Sequence, residues 1–134
     1  MNGWTLWQYK NIIDSFLSGC AQCDVEMHDE LLSRLGSLWE KGNECKMPIS
    51  ESLGMGLFAL RAKEKKRQAR LIYFFGENKQ IIFVHAFYKK TQKISQHNIE
   101  MSKRNRDLIE AGKEKLYGVN LATQIEYLKK TEGR

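Results

Sequence analysis

Leu57-Phe58-Ala59-Leu60-Arg61-Ala62-Lys63, Ala69-Arg70-Leu71-Ile72-Tyr73-Phe74-Phe75 and Gln80-Ile81-Ile82-Phe83-Val84-His85-Ala86-Phe87-Tyr88 decide how this sequence is read. The second and third runs are rich in aromatic and β-branched residues, and the first alternates apolar with charged or small ones. The first is separated from the second by a charged turn, Glu64 to Gln68, and the second from the third by Gly76-Glu77-Asn78. Three such runs with short connections predict an antiparallel meander. Side chains alternate along a strand, so Phe58 and Leu60 point one way and Ala59, Arg61 and Lys63 the other. Arg70, Ile72 and Phe74 share a phase, as do His85, Phe87 and Lys89, opposite to Val84, Ala86, Tyr88 and Lys90. The expectation is a sheet with one apolar face against helices and one basic face open.

On the N-terminal side the period changes from 2 to 3.6. Trp4 to Trp7 reads as a short strand. Tyr9, Ile12, Ile13, Phe16 and Leu17 place a helix over residues 7–17, which Ser18-Gly19 is expected to end. Asp24 can cap a second helix carrying Met27, Leu31, Leu32, Leu35, Leu38 and Trp39 on one stripe, closed by Gly42. On the C-terminal side Ser95 is the N-cap of a helix over 96–111, with Ile94 and Ile99 spaced as a hydrophobic staple and Gly112 as the stop. Leu121, Ile125 and Leu128 suggest a last short helix within 119–130. The expected fold class is α+β: an N-terminal helical hairpin packed on a small antiparallel β-sheet, followed by C-terminal helices. The main domain is expected over 1–112, with 113–134 as an extension.

Composition narrows the function classes. The 134 residues carry 42% hydrophobic residues and one proline, a globular profile. No apolar run approaches the ~20 residues of a membrane span, and Met1 to Lys10 lacks the order of a signal peptide. A cytosolic protein is expected. The three cysteines, Cys20, Cys23 and Cys45, make a poor disulfide framework. Zinc binding at Cys20-x-x-Cys23 would need further ligands, with Cys45 and His28 the nearest candidates. Free structural thiols are the simpler reading; neither metal nor cofactor is expected.

The net charge of +6 is unevenly placed. Residues 1–60 hold four Lys/Arg against eight Asp/Glu, residues 61–106 hold thirteen against three, and residues 107–134 balance five against five. Basicity confined to one segment suggests a face for a polyanion, since a merely solvated surface mixes its signs.

The same segment carries motifs. Gly56-Leu57-Phe58-Ala59-Leu60-Arg61 is followed by Arg70-Leu71-Ile72-Tyr73-Phe74, then by Val84-His85-Ala86-Phe87-Tyr88-Lys89-Lys90-Thr91-Gln92-Lys93, then by a basic helix. In this order they resemble the phage-derived, HigB-like branch of the RelE/ParE toxin superfamily, whose pattern reads GLYELR, R-x-x-Y-F and hydrophobic-H-x-F-x-K-K-T-x-K. The similarity runs from Gly56 to Arg106. Ala59 replaces the family's usual Glu, which puts a local ion pair in doubt, and Ile94-Ser95 replaces its usual Thr-Pro. The resemblance implies a RelE-like fold and the toxin of a type II toxin–antitoxin system. It implies an endoribonuclease that cuts mRNA on the translating ribosome. It further implies a cognate antitoxin, commonly a helix-turn-helix protein (HigA-like), with the ribosome and mRNA as the other partners.

RNA supplies its own nucleophile, the 2′-OH. Cleavage then needs a base for that hydroxyl, cations around the phosphorane and an acid for the leaving 5′-oxygen. Arg61 and Arg70, on adjacent strands, suit one scissile phosphate through their forked donors. Lys89 and Lys90 add cations at a strand end, where crowding can lower a lysine pKa. His85 is the acid or base by residue type, although its phase fits either the core or the open face. Lys63, Tyr88, Lys93, Lys103, Arg104 and Arg106 are the candidates for holding RNA, Tyr88 by stacking. Tyr73 reads as core. Two other classes fit the charge: a non-catalytic RNA-binding module, which would leave RNA intact, and a DNA-binding phage regulator, which would shift its own promoter without a partner.

Overall fold

The computed structural model describes residues 3–120. Alternation begins at once: Leu6 and Gln8 are buried between less buried neighbours, and Thr5–Tyr9 forms strand β1. The carboxamide oxygen of Gln8 accepts from the backbone N–H groups of Ile13 (2.9 Å) and Asp14 (3.1 Å). A strand side chain thus satisfies the open donors that start helix α1, Ile12–Cys23. The first helix therefore starts and ends later than the apolar spacing suggested. Ser18-Gly19 lies inside it, and a Cβ on Gly19 would meet open space. An exposed glycine costs a helix about 1 kcal/mol without stopping it.

Helix α2, Val25–Lys41, follows directly, with Asp24 accepting from the Met27 N–H at 3.3 Å. It ends at Gly42, whose φ is +54° and where a Cβ would stand 1.9 Å from the Trp4 ring. Only glycine fits there. A short 3₁₀ turn over Gly42–Glu44 leads to strands β2 (Ser50–Gly54), β3 (Leu57–Glu64), β4 (Arg67–Phe75) and β5 (Gln80–Tyr88). Helix α3 (Gln96–Glu110) and strand β6 (Leu116–Gly118) complete the described chain. Beyond Asn120 the expected last helix lies outside the described residues.

The small antiparallel sheet of the sequence reading is overturned. The sheet has six strands in the order β2-β3-β4-β5-β1-β6, and it is mixed because β1 runs parallel to β5. Two strands were missed. Strand β2 forms one arm of a hairpin turning at Gly54-Met55-Gly56, three successive residues with positive φ. Strand β6, at the start of the segment expected as an extension, pairs with β1. The short strand read over Trp4 to Trp7 is β1, and the helical hairpin follows it.

The open basic face is corrected as well. Leu60, Ala62, Ala69, Leu71, Tyr73, Ile81 and Phe83 pack beneath α1 and α2 with Ile13, Leu17, Leu31 and Leu35. The opposite face has its own apolar cluster, Leu57, Ala59, Ile72, Phe74, Ile82 and Val84, with Ile109 of α3 and Leu116 of β6 packed on it. Both faces are covered, so Ala69 to Phe74 is buried without interruption. A bulge in β5 moves the pairing from Ile72↔His85 to Tyr73↔Phe83, leaving Val84 unpaired in register. Val84 therefore joins the cluster under α3, where the alternation had set it opposite to His85. No helix among the described residues is long and apolar enough to cross a membrane.

Candidate anion site on the α3 side of the sheet

The β3–β4 register sets Arg61 directly opposite Arg70, and the β4–β5 register sets Arg70 opposite Phe87. The ladder continues past Tyr88, because the Lys89 N–H donates to the Gln68 carbonyl at 2.7 Å. Lys89 thereby stays in phase with Phe87 and sits beside the arginine pair. Strand β2 adds Glu51, whose cross-strand neighbour is Ala59. The Glu51 carboxylate reaches across to the Nε of Arg61 (3.7 Å) and the Nε of Arg70 (3.8 Å). The ion pair put in doubt by Ala59 is thus supplied from the next strand.

The arginines are anchored by their outer nitrogens. Arg61 Nη1 donates to the Pro48 carbonyl at 3.1 Å. Arg70 Nη1 donates to the Ala69 carbonyl and Nη2 to Gln68 Oε1, both at 2.9 Å. Both Nε atoms are buried and have no hydrogen-bond partner, since the carboxylate stands beyond bonding distance. Arg70 is only 2% exposed. Burial, then the neighbouring Arg61, holds its guanidinium below the ordinary value, with Glu51 opposing. Lys89 is also pulled down, first by burial, then by Arg70 and Arg61 against the pull of Glu51. Three cations and one carboxylate leave buried donors without acceptors, an arrangement suited to an incoming anion.

The other sequence candidates divide. Lys63 is exposed and lines, with Arg34, Pro48, Arg61, Gln68 and Arg70, a cleft of about 210 Å³ at this site. Lys90 and Lys93 are exposed and line a second cleft with Lys89, Phe87 and Ile94 at the end of β5. Lys89 and Lys90 follow the last residue of β5 and line that second cleft together. His85 lies on the α3 side, with its ring 5.3 Å from that of Phe87. Its Nε2 donates to Asn98 Oδ1 at 2.7 Å, and burial pulls its pKa down against that bond. Lys103 is half-buried and Arg104 exposed on α3. Arg106 instead ties α3 to the β2–β3 turn through the Met55 carbonyl, with Glu110 at 3.8 Å. Tyr73 is buried, its hydroxyl bonded to Ser50.

Tyr88, expected to stack on a base, faces the helices. Its ring lies 5.4 Å from Phe16, and its hydroxyl donates to Asp24 at 3.1 Å and stands 3.2 Å from Cys20 Sγ. The same carboxylate accepts from Arg67 Nε and Nη2, both at 2.6 Å. Asp24 thus joins the α1–α2 junction to β4 and β5, behind the arginine site. Cys20 and Cys23 belong to the last turns of α1, not to an interhelical loop, and all three cysteines are free thiols.

The bond to Arg67 above all holds the Asp24 carboxyl below its ordinary 3.8. A depressed carboxylate stabilises the fold above its unfolded pKa and loses that contribution as pH falls through the folded value. Asp24→Asn should therefore lower the urea midpoint at neutral pH, and the gap to the parent should close as pH falls below 3.8. A gap that stays constant on acidification would remove Asp24 from this role.

Glu51 was invisible to the sequence reading because residues 50–54 were not read as a strand. The signal was present in the paired glycines, since a turn of that kind joins two strands and one arm lay unassigned. Among curated proteins none matches the chain. Residues 21–107 match the family model described as phage derived protein Gp49-like (DUF891), a span that contains Glu51, Arg61, Arg70 and Lys89. The chain belongs to this Gp49-like family, within the RelE/ParE-like toxin superfamily.

Proposed function

We propose that the protein is the toxin of a type II toxin–antitoxin pair, of the HigB-like branch, and a metal-independent endoribonuclease that cleaves mRNA on the translating ribosome. The observation that carries this reading is the set of Arg61, Arg70 and Lys89 around a single carboxylate, with two buried guanidinium Nε atoms lacking a hydrogen-bond partner. The scissile phosphate occupies the seat between the arginines. Its 2′-oxygen attacks phosphorus as Lys89, in its neutral form, takes the 2′-OH proton. The arginines hold the charge that grows on the phosphorane oxygens. The bond to the 5′-oxygen breaks, that oxygen takes a proton from water, and a 2′,3′-cyclic phosphate remains. Lys63 lies in the same cleft to guide the chain, and Lys90, Lys93 and Arg104 extend the basic ground. A helix-turn-helix antitoxin, HigA-like, is the expected regulator, and the cytoplasm the expected compartment.

The test incubates the purified protein with translating ribosomes and maps new 5′ ends by primer extension. Defined cuts within codons are expected, and expression of the gene alone should arrest growth. Ribosome binding should weaken steeply with salt, since bound cations release counterions from RNA. Bound but intact mRNA would favour a non-catalytic RNA-binding module, because binding and cleavage draw on similar cations. A shift of the protein's own promoter without mRNA cuts would favour a DNA-binding regulator.

A further inference from the structure

We infer that Glu51 is a positioning residue of this site: its carboxylate offsets the repulsion between the neighbouring Arg61 and Arg70 guanidinium groups and sets the charge that the reacting phosphate meets. The inference rests on the phosphate-cleaving reading above, although its first test does not.

The geometry places Glu51 apart from an ordinary surface ion pair. It stands nearly equidistant from two Nε atoms, at 3.7 and 3.8 Å, and hydrogen-bonds to neither. The guanidinium groups are held by backbone carbonyls and by Gln68, so Glu51 contributes charge and not anchorage. Two guanidinium groups on directly opposed residues repel each other, and one of them is almost fully buried. Ala59, the cross-strand neighbour of Glu51, has only a methyl group, which leaves the carboxylate room to lie over the pair.

The charges then match the reaction. With Lys89 neutral as the base, Arg61 and Arg70 against Glu51 give the site a net charge of +1, which rises to +2 as Lys89 takes the 2′-OH proton. A phosphodiester brings one negative charge and its pentacoordinate phosphorane two. The site therefore balances the phosphate both before and after the proton moves to Lys89, and the carboxylate is what sets that balance. Without the carboxylate the site becomes more positive and binds the resting phosphate too well. The groups facing Lys89 are Arg70 from β4, Arg61 from β3 and Glu51 from β2, with Lys90 next in the chain. Glu51 alone among them favours the protonated lysine.

The experiment compares the parent with Glu51→Gln, which keeps shape and removes charge, and Glu51→Asp, which keeps charge. Lysine side-chain NMR of the RNA-free protein follows the Lys89 titration, assigned through Lys89→Arg. Glu51→Gln should lower the Lys89 pKa by roughly one unit, as loss of a nearby opposite charge does, and Glu51→Asp should keep it near the parent value. With ribosome-bound mRNA, Glu51→Gln should bind several-fold more tightly, and the rise of its saturated cleavage rate with pH should move to lower pH together with the Lys89 titration, while Glu51→Asp follows the parent. An unmoved Lys89 titration in Glu51→Gln, with only lower stability, would overturn the inference. So would equal losses of binding and rate. If the parent itself leaves RNA intact, the nuclease reading fails while the titration still judges the charge role of Glu51.

Discussion

Replacing Lys89 with alanine should lower single-turnover cleavage of ribosome-bound mRNA by about 10²- to 10⁴-fold, the range of a lost proton-transfer group. Lys90→Ala and His85→Ala should stay within a few-fold of the parent. The difference follows from strand alternation. Lys89 shares the phase of Phe87 and feels the charges of Arg70 and Arg61, whereas Lys90 falls in the opposite phase, although both line the cleft at the end of β5. Burial and the two arginines pull Lys89 below the ordinary lysine value, so more of it is neutral than of a solvated lysine. His85 is committed to Asn98 and separated from the arginines by the Phe87 ring. Acting as the base, Lys89 makes the rate rise with pH up to its folded pKa. Lys89→Arg keeps the charge but not the titration and should remain slow. If Lys89→Arg cleaves like the parent, the lysine supplies charge alone; if only His85→Ala abolishes the chemical step, histidine is the base.

Arg70→Met should separate activity from stability. Single-turnover cleavage is expected to fall about 10²- to 10³-fold, the cost of removing one preorganised donor to the developing charge. The melting temperature should hold or rise. Arg70 is 2% exposed, carries an Nε without a hydrogen-bond partner and faces another arginine, so the fold bears its charge at a cost. Replacing such a buried ion with an apolar side chain of similar length is often neutral or stabilising. Arg61→Ala should show a comparable loss of cleavage with an intact fold, since its guanidinium lies nearer the surface. Thermal melts and single-turnover assays on the same preparations decide the matter. A variant that melts early and cleaves normally would make Arg70 a structural residue.

Part of the site was legible because its information is local. Arg61 and Arg70 fall in phase on consecutive strands, and a hairpin connection brings such residues face to face. Lys89 was paired with Lys90 in the reading, and only the continuation of the ladder past Tyr88 separates them. Glu51 lies on a strand that alternation alone does not announce, since Ser50-Glu51-Ser52-Leu53 has little apolar pattern. It is a strand because β3 offers it an edge.

By itself, the sequence determined the meander, the caps at Asp24 and Ser95, the stop at Gly42 and the concentration of cations in one segment. These depend on contacts between near neighbours. Tertiary structure decided the rest. The parallel pairing of β1 with β5 joins residues separated by both helices and three strands, and no local pattern encodes it. The cover of α3 over the second face turned an expected open basic surface into a buried cluster with cations at one end. The uninterrupted apolar run of β4 was the trace of that cover, because a strand buried on both sides loses its alternation. Burial is set by what packs from elsewhere in the chain, and burial is what leaves the arginine Nε atoms without hydrogen-bond partners and lowers Lys89.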